Sequence, residues 1–467
     1  MSQATSEMGV GRKALRSIGS HPGVPAFLRE LVAYLDGSSV ATRLAHGAFW
    51  SLAGTALSRL LALAASMVTA RVLGKAVYGE FGILSSTVLT FQAFASLGLA
   101  MTATRYIAEL RATDPVRAGR ILGLSRALST GSGLLASGLL WVFASWLATR
   151  TLGAPQLAGP LRIAGLALLF TTMSSAEQGA LAGFEAFRWI TWLNVWSGLV
   201  GVPLAVVGVW RWGLYGAIWA TVATAAVQWL LTCVAVRRRA AEERIAVDLR
   251  GVWQEQSILW TFSLPALAQG IMVSPVTWAA TAILVNQPGG FLEMGAYSAA
   301  NQWYAAVLFL PTALGAAVLP VLSERIGQAD QAGARNVLRM AVLMNAVVVA
   351  PIVLVGSVAS SWIMRMYGPS FAIAWPTLVL VLVTAGVVAV LNPIGSLLAA
   401  ANRVWLGFWM NAGWAVVLLA TTVLLVRSGA VGVALARLVA YVVHAMWTVW
   451  FAVSFVRPTP TMQSAAP

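Results

Sequence analysis

Trp210-Arg211-Trp212-Gly213-Leu214-Tyr215-Gly216 and Val426-Arg427-Ser428-Gly429-Ala430-Val431-Gly432 decide the fold, because the second stretch is the first displaced by 216 residues. Arginine and both glycines recur in one register. The same shift pairs Gly179 with Gly395, Trp189 with Trp405, Gly54 with Gly270, Ser58 with Ser274, Asp114 with Asp330 and Leu122 with Leu338. Glycine matches alone would be weak, but tryptophan, arginine and aspartate in the same register make chance coincidence implausible. The chain is therefore read as two tandem copies of one unit.

Each unit is written for lipid. Of 467 residues, 59% are hydrophobic and only 10% are charged, with a mean hydropathy of +0.80. A soluble globule carries about 25% charged residues and would lack a surface at this composition. A spanning helix needs about 20 mostly apolar residues, and the pattern predicts an all-α membrane protein with twelve such stretches. Six lie near Gly47 to Ala70, Tyr78 to Thr102, Gly119 to Trp141, Gly159 to Gly183, Trp189 to Val209 and Tyr215 to Val236. The second six lie near Ile258 to Val285, Met294 to Leu319, Val337 to Val358, Pro376 to Ala399, Val404 to Val426 and Val431 to Phe455. An even number of spans per copy makes the two halves parallel, related by a pseudo-twofold axis along the membrane normal.

The formal net charge is +15, almost all of it arginine, since Lys13 and Lys75 are the two lysines. In a membrane protein such an excess marks loops retained on the cytoplasmic side, and nucleic acid is not expected as a partner. Arg105, Arg111, Arg117 and Arg120 follow the second span; Arg237, Arg238, Arg239, Arg244 and Arg250 follow the sixth; Arg325, Arg335 and Arg339 follow the eighth. The odd-numbered connections are poor in basic residues, with Arg211, Arg365 and Arg427 in three of them. Both termini are therefore expected in the cytoplasm. The organisation that follows is a basic N-terminal segment 1–46, a first lobe 47–236, a cytoplasmic linker 237–256, a second lobe 257–457 and a tail 458–467. Phe27, Leu28, Leu31, Val32 and Leu35 recur at helical spacing, which fits a short surface helix or, equally, a partly disordered tail.

Enzymatic readings find little support. There is no Gly-rich loop followed by Lys-Ser/Thr for ATP, no His/Asp/Glu set at metal spacing, and no extramembrane segment large enough to host chemistry. A single cysteine, Cys233, allows no internal disulfide. No cofactor is expected beyond a coupling ion, a proton or sodium, if the cycle uses one.

Four short stretches carry a resemblance. They are Leu73-Gly74 with Tyr78-Gly79-Glu80-Phe81-Gly82, then Phe262-Ser263-Leu264-Pro265, then Gly295-Ala296-Tyr297-Ser298-Ala299-Ala300, then Leu319-Pro320-Val321-Leu322-Ser323. Over Gly47 to about Phe455 the chain resembles prokaryotic polysaccharide and O-antigen repeat-unit flippases, of the superfamily that also holds multidrug/toxin antiporters and lipid II flippases. The resemblance implies a V-shaped, two-lobed bundle. It also implies a cargo: an undecaprenyl-diphosphate-linked oligosaccharide of the O-antigen, capsule or exopolysaccharide type, moved across the inner membrane. Membrane lipids, the lipid-linked oligosaccharide, a polysaccharide polymerase and glycosyltransferases are the partners it suggests. Lipid II flippases usually carry two further helices, for which there is no room after Arg457.

Such a cargo assigns tasks. Its diphosphate calls for arginine, whose planar guanidinium grips phosphate oxygens bidentately, and ionisable residues inside spans are costly enough to be functional candidates. Arg59, Arg126 and Arg437 are the candidates, with Arg59 midway through its span and the other two near enough to an end to snorkel. Glu177 is the one acidic residue placed inside a span and could carry a coupling proton, or simply partner Arg188 or Arg59. His444 is a second coupling candidate, or a packing residue. For the sugar, the seventh and eighth spans offer Gln269, Ser274, Thr277, Trp278, Asn301, Gln302, Trp303 and Tyr304; the same amides and rings also suit helix packing in lipid. Rival readings are a cation-coupled drug antiporter, which wants several acidic residues in its spans; a major-facilitator permease, which wants a Gly/Asp/Arg-rich motif in its second connection; and a non-transporting assembly subunit.

Overall fold

A computed structural model describes residues 39–247, 251–263, 271–328, 330–401 and 403–455. The stretch Phe27 to Leu35, Gln269 and the tail 458–467 lie outside the described residues. Among the described residues there is no strand. The helices are α1 (Ser39–Ala95), α2 (Leu99–Leu110), α3 (Pro115–Trp146), α4 (Ala158–Gly183), α5 (Phe187–Glu242), α6 (Val273–Val285), α7 (Gly290–Gly327), α8 (Gln331–Val358), α9 (Ser360–Tyr367), α10 (Trp375–Ala400), α11 (Val404–Leu425) and α12 (Gly429–Phe455).

Seven continuous helical stretches are long and apolar enough to cross a membrane. They resolve into twelve spans once three glycine hinges are recognised and α7, 38 residues long, and the short apolar α6 are added. Helix α1 is 57 residues long and breaks only at Gly74 (φ 77°). Helix α5 is 56 residues long and breaks only at Gly213 (φ 55°, ψ −131°). Gly429, at φ 63° and ψ −139°, turns α11 into α12. Positive φ at no steric cost is a property of glycine. The two repeat-related glycines therefore share one backbone conformation, the physical content of their match in sequence. The connections at Gly74 and Gly213 are one-residue hinges, and that into α12 is a single tight turn, Val426–Ser428, closed by Gly429.

The aspartates of the repeat are equivalent too. Asp114 accepts a hydrogen bond from Arg117 N–H at 3.0 Å and opens α3; Asp330 accepts from Gly333 N–H at 2.8 Å and opens α8. Both are helix N-caps, satisfying an amide that the first turn leaves unpaired. The Gly333 amide, and after it Arg325, hold the Asp330 carboxyl below the usual carboxylate range.

In the first lobe α1 packs on α5, and α4 lies against α2, α3 and α5. In the second lobe α10 is central, touching α7, α8 and α12. Outward faces are apolar, with Val347 71% and Leu424 76% exposed, as a lipid-solvated surface requires. The lobes meet where α1 touches α6, α7 and α9. A Cβ at Gly79 would overlap the Phe291 carbonyl oxygen, one at Gly295 the Lys75 carbonyl oxygen, and one at Gly82 the Ser298 hydroxyl. Small residues let two membrane helices approach to backbone contact. Two of the four resembling stretches are thus the two sides of this contact.

Candidate functional site

Between the lobes lies a cavity of about 210 Å³. Its first-lobe wall is the second half of α1, including Tyr78, Ser85, Ser86, Leu89 and Thr90; its second-lobe wall is Ser274, Thr277 and Thr281 on α6 with Tyr297, Ser298, Asn301 and Gln302 on α7. Serines, threonines and amides fall at one side of these helices because residues three and four apart share a face.

Behind that wall sits Arg437 of α12, 6% exposed. One guanidinium nitrogen donates to Asn301 Oδ1 at 2.6 Å and to the Tyr297 hydroxyl at 3.3 Å. The guanidinium carbon lies 3.8 Å from the centre of the Tyr304 ring and 5.9 Å from that of Tyr441. No carboxylate is among these partners, and its Nε is buried without a hydrogen bond among the described residues. A buried charge is costly unless compensated. Here two aromatic faces supply part of the compensation, since the ring quadrupole attracts a cation. The charge itself is not cancelled. Asn301 spends one Oδ1 lone pair on Arg437 and keeps two Nδ2 donors, so with the guanidinium behind it the wall at this point favours oxygen acceptors and negative charge.

The other sequence-derived candidates fall elsewhere. Arg126 on α3 and Glu177 on α4 face each other, with Nε 2.5 Å from Oε1 and Nη2 2.9 Å from Oε2. This two-pronged pair is buried at the Glu177 end, and Cys233 Sγ approaches Glu177 at 3.9 Å. The partner of Glu177 is therefore Arg126, not Arg188 or Arg59. Arg59 is exposed. It lies on the same face of α1 as Leu63, Ser66 and Ala70, spaced by four, seven and eleven residues. The Ser66 hydroxyl is 2.7 Å from that of Tyr78, a cavity residue. His444 on α12 is partly buried, two turns from Arg437. Trp278 Nε1 donates across the lobes to Thr87 Oγ1 at 2.9 Å, Gln302 lines the cavity, and Trp303 packs against the apolar core. The fold thus unites Asn301, Tyr304 and Arg437, and leaves Arg126 in the other lobe.

Sequence reasoning missed Tyr297 and Tyr441, the first-lobe wall, and a second cavity of about 410 Å³ inside the first lobe. That cavity is lined by Gln92, Thr171, Ser174, Ser175, Gln178 and Gln228 among others. Three glutamines in three apolar spans were the available signal. Also unread were the ties at one end of the cleft. Arg71 Nε donates to the Met366 carbonyl at 2.6 Å, Asn286 Nδ2 to the Thr151 carbonyl at 2.7 Å, and Lys75 reaches Glu293 at 3.9 Å. At the arginine-rich end Arg117 and Arg120 both bind Glu255, at 3.0 and 3.2 Å, and Thr102 meets Ser263 at 2.7 Å.

Comparison with known proteins agrees with this architecture. The chain is 25% identical over 367 residues to the EPS I polysaccharide export inner membrane protein EpsE of Ralstonia nicotianae, covering 75% of this chain and 80% of that protein. It is 26% identical over 368 residues to the succinoglycan biosynthesis transport protein ExoT of Rhizobium meliloti, covering 75% and 68%. Among solved structures, an inward-facing multidrug resistance MATE family transporter superposes with a TM-score of 0.68 at 16% identity, covering 86% of this chain and 96% of that one. The lipid II flippase MurJ in an inward closed conformation superposes with a TM-score of 0.68 at 13% identity, covering 86% of each. At such identities these two speak for the V-shaped, two-lobed fold alone. The MatE family model matches residues 265–424, and the model for polysaccharide biosynthesis proteins matches residues 44–325, more than half the chain. The chain belongs to the polysaccharide biosynthesis protein family.

Proposed function

We propose that the protein flips an undecaprenyl-diphosphate-linked oligosaccharide, an O-antigen, capsule or exopolysaccharide repeat unit, across the inner membrane by alternating access between its lobes. The observation that carries this reading is Arg437, a buried guanidinium without a carboxylate, joined through Asn301 and Tyr297 to the interlobe cavity. An anionic head group supplies the missing counter-charge. Cationic drugs are disfavoured by the same field, and among the described residues no carboxylate lines the cavity. The printed descriptions of EpsE and ExoT, polysaccharide export and succinoglycan transport, point to a glycan cargo.

Basic loops favour the cytoplasm, so the arginine-rich end is taken as cytoplasmic and the end tied by Arg71, Asn286 and the Gly79/Gly82/Gly295 contact as periplasmic. On that orientation the described state is shut toward the periplasm. The diphosphate enters past Arg59, exposed in the first half of α1, and is drawn toward the Arg437 wall. The sugar hydroxyls meet Ser274, Thr277, Asn301 and Gln302 while the polyprenyl tail stays in lipid. Opening the periplasmic ties as the lobes rock releases the head group outward. Arg126 and Glu177 serve to clamp α3 to α4.

The test is deletion of the gene, followed by mass spectrometry of polyprenyl-diphosphate lipids and a sidedness assay on their head groups. A complete repeat unit accumulating toward the cytoplasm is the expected result. Unchanged lipid-linked sugars together with altered susceptibility to cationic compounds would refute the proposal in favour of drug export.

A further inference from the structure

The first-lobe cavity has chemistry of its own. At about 410 Å³ it falls within the ~300–1,000 Å³ range of small-ligand sites. Gln92 from α1, Gln178 from α4 and Gln228 from α5 converge on it with Ser174, Ser175 and Thr171, and among the described residues no ionisable side chain lines it. Gln178 Nε2 donates to Ser174 Oγ at 3.1 Å. The side chains of Gln92 and Gln228 have no hydrogen-bond partner among the described residues. Both amides are half-buried and line the cavity, where each can offer a donor and an acceptor, the combination that a hydroxyl-bearing ligand matches.

The charge nearest in sequence is withheld. Glu177, next to Gln178, is engaged by Arg126 on the other side of α4. A cation would want that carboxylate and a diphosphate would want that guanidinium; neither reaches the cavity. An uncharged polyol has no such need, because each hydroxyl offers one donor and two acceptors to amide and hydroxyl partners.

Position matters as much as lining. Ser85 and Leu89 line the interlobe cavity, and Gln92 lines the first-lobe one. At spacings of four and seven they share one face of α1. The rise from Ser85 to Gln92 is roughly 10 Å, a length that a short oligosaccharide spans. We infer, on the flippase reading above, that the Gln92/Gln178/Gln228 cavity is a second binding subsite of that transport path, one that takes an uncharged sugar residue of the cargo while the diphosphate stays between the lobes.

The experiment places a photo-crosslinking benzoylphenylalanine at Leu89, at Gln228, at Gln92 and, as a lipid-facing control, at Val347, in the full-length protein within its own membranes. Cells are fed radiolabelled glucose so that every lipid-linked hexose is marked. Labelled glycan attached at 89 and at 228 or 92, and absent at 347, is the expected outcome. Label at 89 alone overturns the subsite while leaving the flippase reading intact; label at none of the cavity positions overturns both. In parallel, the double variant Gln92→Leu/Gln228→Leu is expected to export about tenfold less polysaccharide or worse, as loss of two hydrogen bonds predicts, at unchanged protein level. Export within about twofold of wild type overturns the subsite. Should the double variant's level fall, the crosslinks decide.

Discussion

Replacing Glu177 by Gln takes the carboxylate from a guanidinium that is built to face it. The Glu177 side chain is 4% exposed and that of Arg126 20%, so the pair is largely out of water. Breaking a buried pair by removing one partner costs about 3–5 kcal/mol, because the remaining charge is stranded. The residual exposure of Arg126 puts the expected loss near the lower end, about 3 kcal/mol. Replacing both, as Arg126→Met with Glu177→Met, removes charge and desolvation together and is expected to stay within about 1 kcal/mol of wild type. Beside Glu177→Gln, the assay is a double-mutant cycle closed by Arg126→Met, Glu177→Met and the two together, on thermal unfolding of the purified protein in one detergent, read by tryptophan fluorescence, with polysaccharide export measured in parallel. The expected coupling energy is about 2 kcal/mol or more, with export retained by the doubly substituted protein. Zero coupling would refute the clamp. A stable double variant without export would instead make the pair part of the transport cycle and restore Glu177 as a coupling site.

Arg437→Leu is expected to abolish export and to strip Asn301 of its partner, whereas Arg437→Lys keeps the charge but loses the planar donor geometry and should retain partial export; equal export by both variants would remove the anion role. Gly82→Leu should wedge the lobes apart at their glycine contact and lower export at unchanged protein level, since even a Cβ at this position overlaps the Ser298 side chain; wild-type export would contradict the close approach. Gly213→Ala and Gly429→Ala impose the same backbone strain, about 1–3 kcal/mol, but an alanine Cβ meets nothing within 4 Å at 213 and overlaps the Glu293 carboxylate at 429. The second should therefore lower thermal stability further, and would also disturb the 2.8 Å bond from Ala430 N–H to Glu293; equal losses would contradict the hinge geometry.

Much of the fold was legible in one dimension because lipid imposes one-dimensional rules: a span must be long and apolar, and a duplicated unit repeats its hinges and caps at a fixed offset. Gly213 with Gly429 and Asp114 with Asp330 could be paired by counting, and the structure gives each pair one conformation or one capping bond. The candidate site was legible only as an inventory. The residues that matter together lie far apart in sequence: Arg126 binds Glu177 across 51 positions and Arg437 binds Asn301 across 136. None of these pairings follows the 216-residue repeat. Sequence by itself determined that the chain lives in lipid, in two parallel halves. Only tertiary packing decided that one arginine is neutralised and another is left charged beside a cavity, because a helix's periodicity says which face a residue shares but not which helix that face will meet.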